Sequence, residues 1–199
     1  HSGVLEDGGS DSLSGGLGND VIYGGLLHNN ASYTSSVDDG DNTIDGGGGN
    51  DTIHTDWGDD SLLGGSGHDS ITSGRGNDTL DGGTGNDTLN SSHGNDLFVV
   101  DSINDQIVNN GTGDDTVHSS FNFDLGTDGG GSDGLEHLTL LGSALNGTGT
   151  TAGNQIIGNA ENNLLTGNSG NDTLIGNGGN DTLLGGADND SLVGGAGED

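Results

Sequence analysis

The chain has 199 residues, of which 26% are hydrophobic and 45 are glycine, and its net charge is -31 with a single Lys or Arg side chain, Arg75. Such a composition is typical of disordered chains, because too little apolar surface can be buried to offset the backbone entropy that is lost on folding. The charge argues against nucleic-acid binding, and the absence of cysteine excludes disulfides and thiolate metal sites. No apolar run approaches the roughly 20 residues of a membrane span. Folding therefore needs another source of free energy.

A nine-residue repeat begins near the amino terminus, where EDGGSDSLS (6–14) and GGLGNDVIY (15–23) are in phase with each other. An insert of 13 residues, 24–36, separates these two copies from the next one. We predict that this insert is a surface loop, and its apolar and aromatic residues make partner binding the alternative.

The main array then runs without a gap from residue 37 to residue 99. Its copies are VDDGDNTID, GGGGNDTIH, TDWGDDSLL, GGSGHDSIT, SGRGNDTLD, GGTGNDTLN and SSHGNDLFV. In each copy position 4 is glycine, position 6 is Asp or Asn, and position 8 is aliphatic or Phe. Glycine permits the positive φ of a tight turn, and the last three residues suit a short strand with one inward side chain. The period predicts alternating turns and strands, with no helix.

Residues 100–148 keep one good copy, NGTGDDTVH, and are predicted to be a degenerate β-solenoid or a spacer. A second array, 149–199, opens with GTTAGNQII and GNAENNLLT, in which Asn154 and Asn163 replace the aspartate. GNSGNDTLI, GNGGNDTLL, GGADNDSLV and the truncated GGAGED follow. We therefore divide the chain into a first array with its loop insert (1–99), this middle segment and the second array.

The repeat resembles the GGxGxDxUx nonapeptide of the RTX (repeats-in-toxin) family, a calcium-binding repeat, and the resemblance covers most of the chain. It implies an all-β fold, a right-handed parallel β-roll with two nonapeptides per turn, so that residues about 18 apart stack. Position-8 side chains would then form a thin core. The position-6 stacks implied are Asp51–Asp69–Asp87, Asp60–Asp78–Asp96, Asp172–Asp190 and Asp181–Asp199.

Stacked aspartates explain how a metal could complete such a fold. Strands lie about 4.8 Å apart, and two carboxylates at about 5 Å repel by roughly 3 kcal/mol at an effective dielectric near 20. A divalent cation between them reverses the sign of that interaction. Calcium accepts about six to eight oxygens in flexible geometry, whereas magnesium prefers a smaller octahedron. We therefore predict multiple Ca²⁺ ions as cofactors, with binding coupled to cooperative folding.

The predicted metal ligands are the position-6 side chains and turn glycines that expose carbonyl oxygens. They are Asp11, Asp20, Asn42, Asp51, Asp60, Asp69, Asp78, Asp87, Asp96, Asp115, Asn163, Asp172, Asp181, Asp190 and Asp199, with Gly47, Gly49, Gly65, Gly67, Gly74, Gly76, Gly83 and Gly85. Asparagine keeps an oxygen but loses a charge, so the Asn sites are predicted to be weaker. The alternative, an acidic solvated linker, does not need a strict nine-residue phase.

Other features of the chain predict no catalysis. The seven histidines do not cluster, so we expect them at the surface rather than around zinc. GGSDG (130–134) fits GxSxG around Ser132, but in a glycine-rich stretch without strand–turn–helix context the match carries no weight. Trp57, at variable position 3, is expected to be exposed, with contact to sugar or protein as the alternative.

Together these features predict a calcium-binding structural module, not an enzyme, of a secreted or cell-surface bacterial protein. The resemblance implies passage through a type I secretion channel and folding on calcium outside the cell. Because no capping repeat is visible, two alternatives stay open: the chain is part of a longer protein, or its subunits associate head to tail into a surface layer, adhesin stalk or matrix fibre. The alternative is an accessory folding or secretion module of an exoenzyme or toxin whose active domain lies elsewhere. The sequence identifies no extracellular partner.

Overall fold

The structure, a computed structural model, describes residues 2–4, 10–24, 40–128 and 134–199. Throughout this part of the chain it is all-β, without a helix. The strands are β1 Ser2–Val4, β2 Ser12–Leu17, β3 Val21–Tyr23, β4 Thr43–Gly48, β5 Thr52–His54, β6 Ser61–Gly67, β7 Ser70–Thr72, β8 Thr79–Gly85, β9 Thr88–His93, β10 Leu97–Val100, β11 Gln106–Thr112, β12 Thr116–Ser119, β13 Phe123–Asp124, β14 His137–Leu140, β15 Asn146–Thr148, β16 Gln155–Ile157, β17 Leu164–Ser169, β18 Thr173–Gly178, β19 Thr182–Ala187 and β20 Ser191–Ala196.

Successive strands alternate between the two sides of a solenoid. The even-numbered strands form one ten-stranded sheet, from β2 to β20. The odd-numbered strands form a six-stranded sheet, from β1 to β11, and a four-stranded sheet, from β13 to β19. Strands pair in parallel with their neighbours one turn away, as β5 does with β7 and β6 with β8. The predicted β-roll is confirmed.

The register follows the nine-residue period. Ile53 pairs with Ile71 on one side, and Leu62 pairs with Leu80 on the other, so residues two repeats apart stack. Ile22 pairs with Ile53 across the predicted insert, which therefore leaves the stacking intact. The insert itself, apart from Gly24, lies outside the described residues, as does Ser132.

The ten-stranded sheet runs through the segment between the two arrays. Phe98 pairs with Val117, Val117 with Leu138 and Leu138 with Ile156. On the opposite side β11 and β13 belong to different sheets, so that side of the solenoid is divided here. One face of the roll thus crosses the segment while the other is interrupted.

The core is thin in the first array and richer in the segment that follows it. The predicted inward residues are each no more than 1% exposed: Ile53, Leu62, Ile71, Leu80, Leu89 and Phe98. The later segment adds further buried apolar side chains: Val100, Ile107, Val117, Phe123, Leu125, Leu135, Leu138, Leu140 and Ala144. Because apolar burial is the main favourable term in folding, the middle of the roll has the most intrinsic stabilisation.

Turns of two kinds alternate in the first array. Repeats that begin with glycine have positive φ at positions 2 and 4, as at Gly65 (105°) and Gly67 (147°). Repeats that begin with Thr or Ser have positive φ at position 4 alone, as at Gly76 (135°). A Cβ on Gly65 would collide with the carbonyl oxygen of Gly47 one turn below, so close stacking as well as φ requires glycine. Among the described residues, no helix has the length and hydropathy of a membrane crossing.

Candidate metal centre

Position-6 side chains stack in two columns along the roll. The odd column precedes the odd-numbered strands, and the even column precedes the even-numbered ones. In the odd column the Asp51 N–H donates to Oδ1 of Asp69 at 2.7 Å, and the Asp69 N–H donates to Oδ1 of Asp87 at 2.8 Å. The even column repeats this pattern between residues 60, 78 and 96. The stacks that the family resemblance implied are therefore present.

The same pattern returns near the carboxyl end of the described chain. The Asp172 N–H donates to Oδ1 of Asp190 at 3.1 Å, and the Asp181 N–H donates to Oδ1 of Asp199 at 2.9 Å. In each column one carboxylate oxygen therefore holds the neighbouring turn in register.

In several of these aspartates the other carboxylate oxygen is buried and has no hydrogen-bond donor among the described residues. This holds for Oδ2 of Asp51, Asp69, Asp78, Asp87, Asp96, Asp172 and Asp181. These side chains are at most 5% exposed. An isolated buried carboxylate is very unfavourable unless a cation or donors compensate it, so each of these oxygens needs a positive partner.

In the odd column a glycine at position 1 leaves open the space that such a partner would need. An ideal Cβ on Gly46 would lie 2.7 Å from Oδ2 of Asp51 and 2.5 Å from the carbonyl oxygen of Gly64, one turn away. On Gly64 it would lie 2.6 Å from Oδ2 of Asp69 and 2.6 Å from the carbonyl oxygen of Gly82. A carboxylate oxygen and a carbonyl oxygen therefore face the same space, and these are the oxygen ligands that calcium prefers, so the residues present fit this ion.

Burial raises the carboxylate pKa values in these columns. The pKa of Asp78 rises to about 6 through burial, although the Asp60 N–H and the Ser73 hydroxyl oppose the rise. The pKa of Asp87 also rises to about 6 through burial, opposed by the Asp69 N–H and reinforced by nearby carboxylates. The columns thus disfavour negative charge and favour whatever neutralises it.

Position-6 asparagines have protein partners instead. Nδ2 of Asn163 donates to the carbonyl oxygen of Ala144 at 3.1 Å, and its Oδ1 accepts the Asn159 N–H at 2.8 Å. Nδ2 of Asn42 donates to the carbonyl oxygen of Gly24 at 2.7 Å, and its Oδ1 accepts the Asp11 N–H at 3.0 Å. The amide N–H groups thus supply the positive partner within the chain.

Asn154 follows the same rule. Its Nδ2 donates to the carbonyl oxygens of Leu135 and Glu136, both at 3.2 Å, and its Oδ1 accepts the Thr150 N–H at 2.7 Å. The amide therefore bridges two turns without an ion.

Two aspartates between the arrays are also satisfied by protein donors. Oδ1 of Asp105 accepts the Asp87 N–H at 3.0 Å, and its Oδ2 accepts the Ser102 N–H at 3.0 Å. Oδ2 of Asp115 accepts Nδ2 of Asn109 at 2.6 Å. The Oδ2 atoms of Asp105 and Asp115 therefore already have protein donors, unlike those of the Asp columns.

Sequence reasoning missed two residues of the columns. Asp105 stands 18 residues after Asp87, so extending the period by one more turn would have found it. Glu136 accepts the Asp115 N–H with Oε2 at 2.8 Å from 21 residues away, and no spacing in the sequence indicates it. A longer side chain there compensates for a longer turn.

A second, exposed ladder at position 5 was also missed. The Asn77 N–H donates to Oδ1 of Asp59 at 2.7 Å, and the Asn95 N–H donates to Oδ1 of Asn77 at 2.9 Å. In this ladder each N–H donates to the side chain of the preceding turn, whereas in the aspartate columns each N–H donates to the side chain of the following turn. The recurrent Asn or Asp before the position-6 residue therefore fixes register.

Two surface predictions need correction. Trp57 is half-buried rather than exposed, because the Arg75 guanidinium lies 4.5 Å from its ring centroid. His118 and His137 are likewise half-buried, whereas His68 is exposed as expected. No group of three His, Cys, Asp or Glu side chains converges in the part of the chain that is described, so an ion there depends on backbone carbonyl oxygens as well as carboxylates.

The fold and the columns define a β-solenoid of metal-binding repeats. A family model, the RTX calcium-binding nonapeptide repeat, matches residues 7–28, 36–71, 72–107, 148–183 and 166–199, which is more than half of the chain. The chain therefore belongs to this family, whose repeats form calcium-binding modules typical of secreted bacterial proteins rather than a family of enzymes. No curated protein and no solved structure matches the chain.

Proposed function

We propose that this chain is a calcium-dependent structural module that works outside a bacterial cell, as part of a secreted or cell-surface protein. The observation that carries the proposal is the set of buried carboxylate oxygens without donors in the two Asp columns. Membership of the RTX repeat family supports the choice of calcium. Extracellular modules can use calcium affinities of about 10⁻⁴–10⁻³ M, because calcium is abundant there.

The aspartates have two separate tasks in this proposal. Oδ1 accepts the backbone N–H of the adjacent turn and sets the register, as Asp69 does for Asp51. Oδ2 faces the carbonyl oxygen of the next turn across the space in front of a glycine such as Gly64. Calcium supplies the positive charge that lets two acceptors face each other and compensates the stacked carboxylates.

We propose that the ions occupy the rungs, meaning the position-6 sites, whose Oδ2 has no protein donor. Asn42 and Asn163, expected from the sequence to be weaker ligands, are proposed to bind no ion, because Nδ2 of each faces carbonyl oxygens at the position a cation would need. The stretch from Asp105 to Asn163 would then be held by protein hydrogen bonds and its own core. It would separate two arrays that fold on calcium.

A calcium titration of the full chain tests this function. Far-UV circular dichroism should show partial β-structure in chelator and a cooperative gain with calcium, and magnesium at equal concentration should give much less. Calorimetry in parallel should detect several calcium ions per chain. Full β-structure in chelator, with no heat on adding calcium, would refute the proposed function.

A further inference from the structure

The two columns differ at position 1 of the repeat. The odd-column repeats of the main array begin with Gly46, Gly64 and Gly82, whereas the even-column repeats begin with Thr55, Ser73 and Ser91. Each of these residues lies five positions before the column residue of its own repeat. One column is therefore preceded by glycine and the other by hydroxyl side chains, in an alternation with the period of a full turn.

The three hydroxyl residues are buried without partners. Thr55 and Ser91 are 0% exposed, and Ser73 is 3% exposed. Their Oγ atoms make no hydrogen bond in the described structure. A buried hydroxyl normally has a partner, so three equivalent exceptions in one row point to a missing species.

The hydroxyls adjoin the even-column carboxylates. An ideal Cβ at position 1 of an odd-column repeat lies close to the carboxylate of the same repeat, at 2.6 Å from Oδ2 of Asp69 for Gly64, and Ser73 and Ser91 occupy position 1 in the repeats of Asp78 and Asp96. At each of these rungs Oγ and the carboxylate Oδ2 both lack a hydrogen-bond partner. Two buried oxygens of the same repeat that both lack a partner can act together as ligands of a cation.

The next residue in this row shows what its side chains can reach. Asn109 pairs with Ser91 across the sheet, one turn further along. Its Nδ2 lies 2.6 Å from Oδ2 of Asp115 and 2.5 Å from the carbonyl oxygen of Gly134. A side chain of this row thus enters the gap between a column carboxylate and the next turn, where the longer amide provides the positive partner itself.

We infer that Oγ of Thr55, Ser73 and Ser91 are additional ligands for the calcium ions of the even column. The inference rests on the proposed function and deepens it, because the roll then has two classes of calcium site. Even-column sites have a neutral side-chain oxygen that odd-column sites replace with glycine. An added neutral oxygen displaces one water from the ion and adds no negative charge to an already acidic column.

The test removes the hydroxyls and retains the packing, in the full-length variant Thr55→Val, Ser73→Ala and Ser91→Ala. The matched control removes three exposed hydroxyls from the same array, by Ser61→Ala, Ser66→Ala and Thr84→Val. Both variants lose the same atoms overall. The single variant Ser73→Ala repeats the measurement with less perturbation if the triple variant does not fold.

Two readouts are compared between the variants. The calcium midpoint of the circular dichroism transition should rise roughly fivefold in the hydroxyl variant relative to the control. The luminescence lifetime of bound Eu³⁺ should report more water molecules per ion, while the spectrum in chelator stays unchanged.

Equal calcium midpoints and equal lifetimes in the two variants would overturn the ligand assignment and leave the proposed function intact. A wild-type protein without any calcium transition would overturn both.

Discussion

The substitution Asn163→Asp replaces a position-6 amide, which donates to the facing carbonyl oxygens, with a carboxylate that cannot donate. Asn163 is 3% exposed, and its Nδ2 donates to the carbonyl oxygens of Ala144 at 3.1 Å and Leu145 at 3.4 Å. Aspartate has no N–H at that position, so both carbonyl oxygens lose this bond and face a carboxylate oxygen, although Ala144 keeps the Asn159 Nδ2 donor and Leu145 keeps the Leu164 N–H, both at 2.8 Å. The backbone N–H of residue 163 still donates to Oδ1 of Asp181, so the register is preserved.

The structure sets the size of the effect. The two lost hydrogen bonds contribute about 1–3 kcal/mol together. The new carboxylate also stacks next to Asp181, and two such charges at about 5 Å repel by roughly 3 kcal/mol at an effective dielectric near 20. In chelator the variant should therefore be destabilised by about 4–6 kcal/mol, which exceeds the cost of most surface substitutions.

Calcium should reverse this loss, because the new pair of carboxylates and the two carbonyl oxygens form a site like those of the Asp columns. Urea unfolding in chelator and in saturating calcium measures the two stabilities, and calorimetry should find one additional ion per chain relative to the wild type. Asn162→Asp is the control, because it adds the same charge on an exposed neighbour and keeps the oxygen that accepts the Asn180 N–H. Equal destabilisation of Asn163→Asp with and without calcium, or an unchanged stoichiometry, would refute the reasoning.

Three further predictions follow from the same geometry. Gly64→Ala should raise the calcium midpoint roughly tenfold, because its Cβ would lie 2.6 Å from Oδ2 of Asp69. An unchanged midpoint in calorimetry would show that the space in front of Gly64 is not part of a calcium site. In chelator, acidification from about pH 7 to about pH 5 should increase β-structure in circular dichroism, because burial raises the pKa of Asp78 and Asp87 from 3.8 to about 6. Between pH 3.8 and about pH 6 the folded state binds more protons than the unfolded state, so the stabilisation from protonating Asp78 and Asp87 is present below pH 3.8 and is lost as the pH rises through 6. Loss of β-structure on acidification would contradict this prediction. Hydrogen exchange in chelator should show protection concentrated in residues 97–166, and uniform exchange along the chain would disprove a metal-independent middle.

The sequence predicted most of the fold because the fold is periodic. A repeat of nine residues with one apolar position fixes which side chains point inward, and its recurrence fixes the register, as for Ile53 on Ile71. The resemblance to the RTX family implied two repeats per turn, and with that turn length the pairs Asp51–Asp69 and Asp172–Asp190 follow from the phase. Periodicity also indicated the metal, because it placed like charges next to each other.

Where the period fails, the sequence could not place the partners. Glu136 enters the even column only because the turn before it is 21 residues long, and Asn109 reaches Gly134 from 25 residues away. Turn length in an irregular segment depends on packing, so neither contact follows from local pattern.

By itself, the sequence determined the nine-residue phase of its turns and strands, and its resemblance to the RTX family implied the β-roll, its register and the two columns of position-6 side chains. Only the tertiary structure decided which oxygens in those columns have donors. The carboxylate of Asp115 is satisfied by an amide and that of Asp69 leaves Oδ2 without a donor, although both residues occupy the same repeat position. The difference arises from side chains that neighbouring elements bring to each rung, and hydrogen bonding and burial are properties of that three-dimensional neighbourhood.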